Sequence, residues 1–361
     1  MRRRTQRHRR AGIGPARGVR RAHRAFRRRR GAWAALALVV LVAACAGDEG
    51  SSARQTVPVM GTGATVEVWT GDEASARSAT DAVVQELRRV EALLSSWTPD
   101  SEVGRINAQP VGEPLAVSPE LAELMEVVQT WTVRSHGAFQ PVLGALIDAW
   151  DLRGEGRRPS AAEVRQALAA TGAGGLAFHP DQGAVTRFNE AAWMDSGAFG
   201  KGAALATAAD TLRERGVLKA RVDLGGQLLI LGGDSVSVGV AHPARRNEVA
   251  ARLALLDVSV ATSGQSERYV DVEEERLGHI IDPRTGEPAP AWGSVTVVAR
   301  DPLLADILAT AFLVLGPEQG MPLAQELQDV GVLFLEDVGE GLQAESNAAM
   351  APWLRDVAGV R

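Results

Sequence analysis

Five short segments place Gly, Asp, Thr, Lys or His at positions where packing alone would favour apolar side chains. In one-letter code and in chain order, they are DSGAFGKG at 195–202, VDLGG at 222–226, VATSG at 260–264, HIIDPRTG at 279–286 and ADILAT at 305–310. Glycine and lysine suit phosphate binding, carboxylate and hydroxyl oxygens suit a hard cation, and imidazole suits proton transfer. Their co-occurrence in one chain indicates a functional site.

The segment 195–202 is a small-residue loop that leads into a predicted helix over 203–215. Glycines permit close backbone approach, and the amides of a helix N-terminus together with a lysine favour a phosphate. An ordinary tight turn has the same composition. Lys201 is one of only two lysines in a chain otherwise rich in arginine, which favours a specific use of its compact ammonium group.

Asp306 and Thr310 lie four residues apart at the start of a predicted apolar helix that continues to about Leu315. This spacing puts a carboxylate and a hydroxyl on one helix face, where two hard oxygen ligands can hold Mg²⁺. The alternative is an acid favoured by the helix dipole and a hydroxyl bonded to its own backbone.

His279 precedes a short apolar pair and a proline-directed turn. It is a candidate general base, but a lone His at a strand end is also an ordinary structural residue. The segments 222–226 and 260–264 each place small residues after a predicted strand, which is equally typical of a tight turn.

The elements that must position these residues mix helix and strand signals without strict alternation, which predicts an α+β fold. Ser118, with Pro119 and Glu120 after it, predicts a helix start, and Ser160 with Glu163 forms a capping-box pattern. Val83, Leu87, Val90 and Leu94 have helical spacing. The predicted strands are Ala64–Trp69, Ala184–Phe188, Gln227–Ile230, Val236–Val240, Arg252–Val260, Ser294–Ala299 and Val332–Leu335.

The N-terminal segment has the composition of an export signal. Residues 1–44 hold fourteen arginines and end in a 13-residue apolar run over 32–44, too short for a bilayer-spanning helix and followed at once by Cys45, the only cysteine. The run resembles the lipobox of bacterial lipoproteins, and the alternative is an uncleaved signal anchor or a chance apolar stretch. We therefore predict a lipoprotein signal peptide over 1–44, a lipidated Cys45 with a flexible tether over 45–56, one catalytic domain over 57–361, and a lipid-anchored, extracytoplasmic location.

The charge of the chain is segregated. The whole chain carries 39 basic and 44 acidic residues, a net charge of −5. Because residues 1–44 contain fourteen of the basic residues and no acid, the remainder carries 25 basic against 44 acidic residues, or −19. An acidic domain of this kind excludes nucleic acid as the expected partner.

Taken in order, the motifs resemble the FAD:protein FMN transferase family of ApbE-type lipoproteins. The resemblance covers most of residues 57–340 and rests above all on HIIDPRTG and ADILAT, about two dozen residues apart. Three earlier stretches also match it: MGT at 60–62, LSSWTPDSE at 94–102, and GAF at 137–139 followed by VLG at 142–144. The family implies a mixed, largely antiparallel sheet core with flanking helices, similar to a T-fold.

The resemblance further implies transfer of FMN from FAD to a Thr or Ser hydroxyl of an acceptor protein in an electron-transfer system, with release of AMP and dependence on Mg²⁺. It assigns the metal to Asp306, Thr310 and the carbonyl of Ala198. It assigns catalytic roles to His279 and Asp306, with His279 also touching the flavin substrate. The other expected FAD contacts are Met60, Trp97, Ala138, Phe139, Asp195 and Lys201.

Gln140 and Gln227 depart from the family pattern, because each stands where the family usually has an acid. Two alternatives therefore stay open: a hydrolase that cleaves FAD to FMN and AMP, and a non-catalytic flavin-binding lipoprotein. Gly200 also replaces a usual Ala, a change that we expect the fold to tolerate.

Overall fold

The computed structural model describes residues 51–265, 269–272, 275–339 and 341–358. The predicted signal peptide, Cys45 and the beginning of the predicted tether lie outside the described residues. Export and lipid attachment therefore stay predictions from the sequence.

Sixteen strands and seven α-helices are described. The strands are β1 (Ser51–Val59), β2 (Thr62–Thr70), β3 (Pro114–Ala116), β4 (Leu176–His179), β5 (Ala184–Arg187), β6 (Lys219–Leu224), β7 (Gln227–Leu231), β8 (Val236–Ala241), β9 (Val249–Leu255), β10 (Val258–Gly264), β11 (Tyr269–Val272), β12 (Glu275–Gly278), β13 (Gly293–Ala299), β14 (Gly331–Asp337), β15 (Leu342–Ser346) and β16 (Leu354–Val357). The helices are α1 (Glu73–Leu94), α2 (Glu102–Ala108), α3 (Pro119–Arg134), α4 (Gly144–Ala149), α5 (Ala161–Ala169), α6 (Gly200–Glu214) and α7 (Pro302–Gln325).

The main sheet has eight strands in the order β1-β2-β6-β7-β10-β13-β14-β15, and every neighbouring pair in it is antiparallel. Two three-stranded sheets, β16-β9-β8 and β3-β5-β4, and the β11-β12 hairpin accompany it. The predicted α+β class with a largely antiparallel core and flanking helices is confirmed.

The two faces of the main sheet are both covered, because successive side chains of a strand point to opposite sides. On β14, Val332 and Phe334 pack into the large core beneath α1, α6 and α7. Leu333 and Leu335 of the same strand pack instead against the smaller sheet of β8, β9 and β16. This burial on both sides explains why the central strands are almost continuously apolar.

Helix starts follow the sequence signals closely. The Ser118 hydroxyl accepts the amide hydrogen of Leu121, and Ser160 with Glu163 forms a complete capping box, so both predicted helix starts are confirmed. Ser101 caps α2 in the same way. These interactions join residues three apart, and local sequence is sufficient to specify them.

The helix α7 is the only described helix that is long and apolar enough to cross a membrane, and 67% of its most apolar window is buried inside the protein. It is interrupted at Gly316, which has a left-handed φ of 71° and directly precedes Pro317. It packs on β10, β13 and α6, and α7 is therefore a helix of the core.

Two sequence predictions are wrong. Residues 51–56, predicted as part of a flexible tether, belong to β1 and pair with β2 throughout. Arg252–Val260, predicted as one strand, is two, because the chain turns at Asp257 with a φ of 52°. The Asp257 carboxylate accepts the Gly232 amide at 2.6 Å and holds that turn in place.

Candidate functional site

The N-terminus of α6 meets α7 near its start through the carboxylate of Asp306. Oδ1 of Asp306 lies 3.0 Å from Nζ of Lys201, and Oδ2 accepts the amide hydrogen of Gly202 at 2.9 Å. No side chain of α6 itself caps that helix. Asp306 therefore caps α6 from a different helix, with its charge at the positive end of the helix dipole.

This contact requires a glycine at position 202. A Cβ atom on Gly202 would lie 2.6 Å from the Pro302 carbonyl oxygen, 2.8 Å from Cα of Leu303 and 2.7 Å from Cβ of Asp306. Two of these are backbone atoms of α7, which cannot move aside alone. The glycine thus sets the distance between the two helix starts, and the Asp306 carboxylate is held beside Lys201 as a result.

The oxygen-bearing groups expected to bind a metal lie on these same elements. Asp306 is buried, Thr310 is partly buried one turn later on α7, and Ala198 is partly buried in the loop before α6. Within the described ranges, no group of three or more His, Cys, Asp and Glu side chains is placed to hold a metal. One carboxylate, one hydroxyl and one carbonyl are hard oxygen donors, which fit Mg²⁺ completed by phosphate and water and do not fit Zn²⁺.

Met60 lies over the start of α6. Its Cε is 3.3 Å from the position that a Cβ would take on Gly200, and its amide donates to Oε1 of Glu91 at 2.7 Å. Met60 adopts a φ of 53°, at the tight turn between β1 and β2. The structure thus brings two predicted site residues, Met60 and Lys201, to one helix end.

The loop before α6 is anchored to two other predicted segments. Asp195 donates its amide to the Pro141 carbonyl at 2.8 Å, and Ser196 donates its hydroxyl to the Leu94 carbonyl at 2.7 Å. The Ser96 hydroxyl also donates to Oδ1 of Asp195 at 2.9 Å. The loop 195–202 therefore connects the 94–102 and 137–144 stretches to the start of α6.

Trp97 belongs to this cluster and is 71% exposed. The guanidinium carbon of Arg153 lies 3.9 Å from the centre of the Trp97 ring and 4.2 Å from that of Trp193. Arg153 also donates to Oδ1 of Asp195 at 3.0 Å and to the Ser96 hydroxyl at 2.8 Å. A cation is thus layered between two indole rings beside the carboxylate of the loop.

Ala138 and Phe139 are buried, in contrast to the exposed Trp97. Each residue is 1% exposed, and both of their amides donate to Ser135. Their side chains are part of the core, and it is the carbonyl of Pro141 that reaches the loop. Gln140, in place of the usual acid, turns its Oε1 back to accept the Val142 amide at 3.0 Å. Its role in this structure is to shape the local turn.

His279 follows β12 and is partly buried. The residue after it is clamped by Gln265, whose side-chain amide donates to the carbonyls of Ile280 and Ala289 at 2.8 and 2.7 Å and accepts from the Ile280 amide at 3.2 Å. Beyond it, Asp282 forms a close ion pair with Arg284, and hydrogen bonding to Asp282 raises the pKa of that guanidinium. These bonds fix the backbone on which His279 sits.

The turn at 223–227 abuts β2. Asp223 accepts the Gly226 amide at 2.9 Å, and its burial raises the pKa of its carboxyl group above the ordinary value. Gln227 is buried and donates to the Pro302 carbonyl at 2.8 Å, while its Oε1 has no protein hydrogen-bond partner. Gln227, the second departure from the family pattern, therefore supports the first residue of α7.

A sequence model of the ApbE family matches residues 60–334, which includes every segment of this site. The chain belongs to the ApbE family. It is 30% identical over 280 residues to a protein of Klebsiella pneumoniae named FAD:protein FMN transferase, covering 77% of this chain and 87% of that protein.

Solved ApbE structures agree with this assignment. The flavin transferase ApbE from Vibrio cholerae superposes with a TM-score of 0.74 at 25% identity, covering 85% of this chain and 100% of that one. The ApbE protein from Thermotoga maritima superposes with a TM-score of 0.76 at 27% identity and the same coverage. The resemblance inferred from the motifs is confirmed, and flavin transfer is the activity for which the curated relatives are named.

Three residues of this ApbE-family chain that contact the site were missed in the sequence. Arg153 lies in a polar turn with nothing to distinguish it from its neighbours Arg157 and Arg158. Gln265 directly follows the VATSG segment, and its spacing carries no signal. Trp193 was detectable, because aromatic residues make up only 4% of the chain and this one stands two residues before the loop.

Proposed function

We propose that the chain is an Mg²⁺-dependent FAD:protein FMN transferase that moves FMN from FAD to a Thr or Ser hydroxyl of an acceptor protein and releases AMP. The observation that carries the proposal is the contact of Asp306 with both Lys201 and Gly202. It places a buried carboxylate, a lysine and a helix N-terminus at one point, next to a loop of small residues. Diphosphate recognition calls for this combination of groups.

The chain's own cations must supply the local positive charge, because residues 45–361 carry a net charge of −19. Lys201 lies in the loop 195–202 and Arg153 lies beside it. Lys201 would bind the phosphates of FAD, Arg153 would add positive charge nearby without touching FAD, and Trp97 and Met60 would contact its rings. Asp306, Thr310 and the Ala198 carbonyl would hold Mg²⁺, which when bound neutralises charge on the diphosphate.

The reaction is a substitution at the phosphorus of the FMN half. The acceptor hydroxyl oxygen forms a new bond to that phosphorus, the bond to the AMP oxygen breaks, and AMP leaves with the electron pair. We assign His279 to orient the acceptor hydroxyl and take up its proton. The Gln265 clamp supports this assignment, since a proton acceptor acts well only when its position is restrained.

We also propose that the protein works outside the cytoplasm, attached to the membrane through a lipid on Cys45. The support is the Arg-rich segment, the 13-residue apolar run and the small residues before Cys45. The acceptor would then be an extracytoplasmic domain of an electron-transfer protein. An acidic enzyme is repelled by anionic lipid headgroups, so the acyl chains would have to provide the attachment.

The direct experiment mixes the full-length chain in mild detergent with FAD, Mg²⁺ and a purified acceptor that another ApbE flavin transferase modifies. The expected result is a flavin-fluorescent acceptor band on a denaturing gel, lost when the target threonine of the acceptor is replaced by alanine. Free AMP should appear in equal amount. Asp306→Asn enzyme is the matched control and should give no band.

Two outcomes would replace the proposal with one of its alternatives. Appearance of FMN and AMP without a labelled acceptor would identify an FAD hydrolase. Binding of FAD with neither product would identify a flavin-binding protein. The intact Asp306 and Thr310 favour turnover over binding alone.

A further inference from the structure

The guanidinium of Arg153 stands between two indole rings that differ in exposure: Trp97 is 71% exposed, whereas Trp193 is partly buried. Trp193 is held firmly: its Nε1 donates to Oδ2 of Asp148 at 2.8 Å, and its ring lies directly on Gly144. A Cβ on Gly144 would be only 2.0 Å from the Trp193 ring, which shows how closely the ring packs on that backbone. Trp193 therefore forms the fixed base of the stack.

Trp97 forms the outer layer of the stack and is 71% exposed. A tryptophan with so much surface in water loses side-chain entropy when it is held in one rotamer. Arg153 covers one face of its ring at 3.9 Å, which leaves the other face for a ligand. Arg153 is itself restrained by the ion pair with Asp195 at 3.0 Å and by Trp193 at 4.2 Å.

We propose that Arg153 is a positioning residue that holds the indole of Trp97 ready to stack on a planar heteroaromatic ring of FAD. Gly144 and Asp148 hold the Trp193 ring in place. Trp193 and Asp195 in turn restrain the Arg153 guanidinium, which restrains the exposed Trp97 ring. Preorganising an exposed aromatic ring raises affinity because less entropy is lost on binding. This inference rests on the proposed function, which supplies FAD as the ligand.

A double-mutant cycle on FAD binding tests the proposal, with the full-length chain and calorimetric titration. Arg153→Gln should weaken FAD binding roughly tenfold, within the range expected for a cation–π contact. Trp97→Ala should weaken it at least as much. The decisive expectation is that the Trp97→Ala, Arg153→Gln double variant binds FAD no more weakly than Trp97→Ala alone, because a residue that acts through Trp97 has no effect without it.

The chain supplies a matched control at a second arginine–tryptophan contact. The guanidinium of Arg134 lies 4.4 Å from the centre of the Trp131 ring on α3, and Trp131 is almost fully buried. Arg134→Gln removes the same kind of contact outside the described site and should leave FAD affinity unchanged. Separate titrations with FMN and AMP then identify which ring of FAD stacks on Trp97, since only that half should respond to Arg153→Gln.

A measurement without ligand tests directly whether Arg153 restrains the Trp97 ring. In protein labelled with 5-fluorotryptophan, the ¹⁹F resonance of Trp97 is assigned by its loss in Trp97→Phe. Arg153→Gln should shift and narrow that resonance as the ring becomes mobile, whereas Arg134→Gln should move only the Trp131 resonance. An unshifted Trp97 resonance in Arg153→Gln would overturn the proposal.

Three binding results would also overturn it. Full FAD affinity in Arg153→Gln would show that Trp97 needs no support, and additive losses in the double variant would show that Arg153 contacts FAD directly. Unchanged FAD affinity in Trp97→Ala would exclude Trp97 as a contact. The proposed FMN transfer is tested separately by the labelled acceptor band. Failure of the Arg153 proposal can therefore be distinguished from failure of the proposed transferase function.

Discussion

The ammonium nitrogen of Lys201 lies 3.0 Å from Oδ1 of Asp306, a carboxylate that is also the cap of the helix on which Lys201 sits. The two residues are 105 positions apart in the chain. Their pairing places a positive charge beside a buried carboxylate. A metal ion bound by Asp306 would share that carboxylate with Lys201, and this competition leads to the first two predictions.

Asp306→Asn should reduce FMN transfer at least about a hundredfold and destabilise the fold less than Asp306→Ala, because the amide oxygen still accepts the Gly202 amide while the uncharged amide nitrogen faces Lys201. Asp306→Ala should lose activity and also destabilise the fold by about 1–3 kcal/mol, since it removes the cap. The acceptor-labelling assay and urea unfolding measure the two effects. Equal activity of Asp306→Asn and wild type would contradict the role of this carboxylate.

Lys201→Met should increase the thermal stabilisation that Mg²⁺ gives to the protein. Removal of the ammonium leaves the buried Asp306 carboxylate unneutralised, and we expect a loss of about 1–3 kcal/mol in metal-free buffer. A cation that binds only the folded state stabilises it by mass action. Thermal melts with and without Mg²⁺ should therefore show a larger Mg²⁺-induced increase for Lys201→Met than for wild type. Identical increases would show that Lys201 and Mg²⁺ do not compete.

Gly202→Ala should destabilise the protein by about 1–3 kcal/mol, because the new methyl group would overlap backbone atoms of α7. Gly200→Ala is the matched control two residues away. Its methyl group would lie 3.3 Å from Cε of Met60, at the end of a flexible side chain, and 3.6 Å from Cβ and Oγ of Ser196, which is an ordinary van der Waals distance. Urea unfolding should find Gly200→Ala within about 0.5 kcal/mol of wild type. Similar losses in both variants would show that the close helix contact is not the cause.

Gln265→Ala should lower kcat for FMN transfer about tenfold or more with a smaller change in KM for FAD, because the clamp holds the backbone next to His279. The three lost hydrogen bonds should also reduce stability by about 1–3 kcal/mol. Gln129→Ala is the control, since Gln129 donates one hydrogen bond to the Phe178 carbonyl away from the site. A normal kcat in Gln265→Ala would show that His279 does not depend on the clamp.

Asp223→Asn should stabilise the protein at neutral pH. Burial raises the folded-state pKa of Asp223, so the stability associated with its protonated form is present below the ordinary value of 3.8 and is lost as the pH rises through the raised value. Asparagine keeps the oxygen that accepts the Gly226 amide but does not ionise. The gain in melting temperature should be full at pH 7 and should shrink as the pH falls towards 3.8.

The control for Asp223→Asn is Asp234→Asn, which changes an exposed carboxyl group in the next turn. Over the same pH range, the melting temperature of Asp234→Asn should stay close to that of wild type at each pH. A lower melting temperature of Asp223→Asn than of wild type at pH 7 would mean that the negative charge of Asp223 is itself stabilising.

The sequence predicted the elements whose signals are local. Ser118 and Ser160 cap helices that begin beside them, and the strands from Ala64 and Ser294 follow from apolar periodicity. The same reasoning failed where a tertiary contact decides. Residues 51–56 are small and polar, which indicates a tether, but pairing with β2 makes them a strand. Arg252–Val260 has an unbroken strand composition, but the chain turns at Asp257, whose carboxylate accepts the amide hydrogen of Gly232 just after β7.

The residue types and order of the motifs by themselves determined the family, the α+β class and the set of candidate residues for diphosphate and metal binding. Only the tertiary structure decided which of them lie together. Asp306 caps α6 because a glycine lets two distant helices approach, and Arg153 lies between Trp97 and Trp193 because three loops converge. Local hydrogen-bonding and periodicity rules act over three or four residues, whereas these contacts depend on how the core packs.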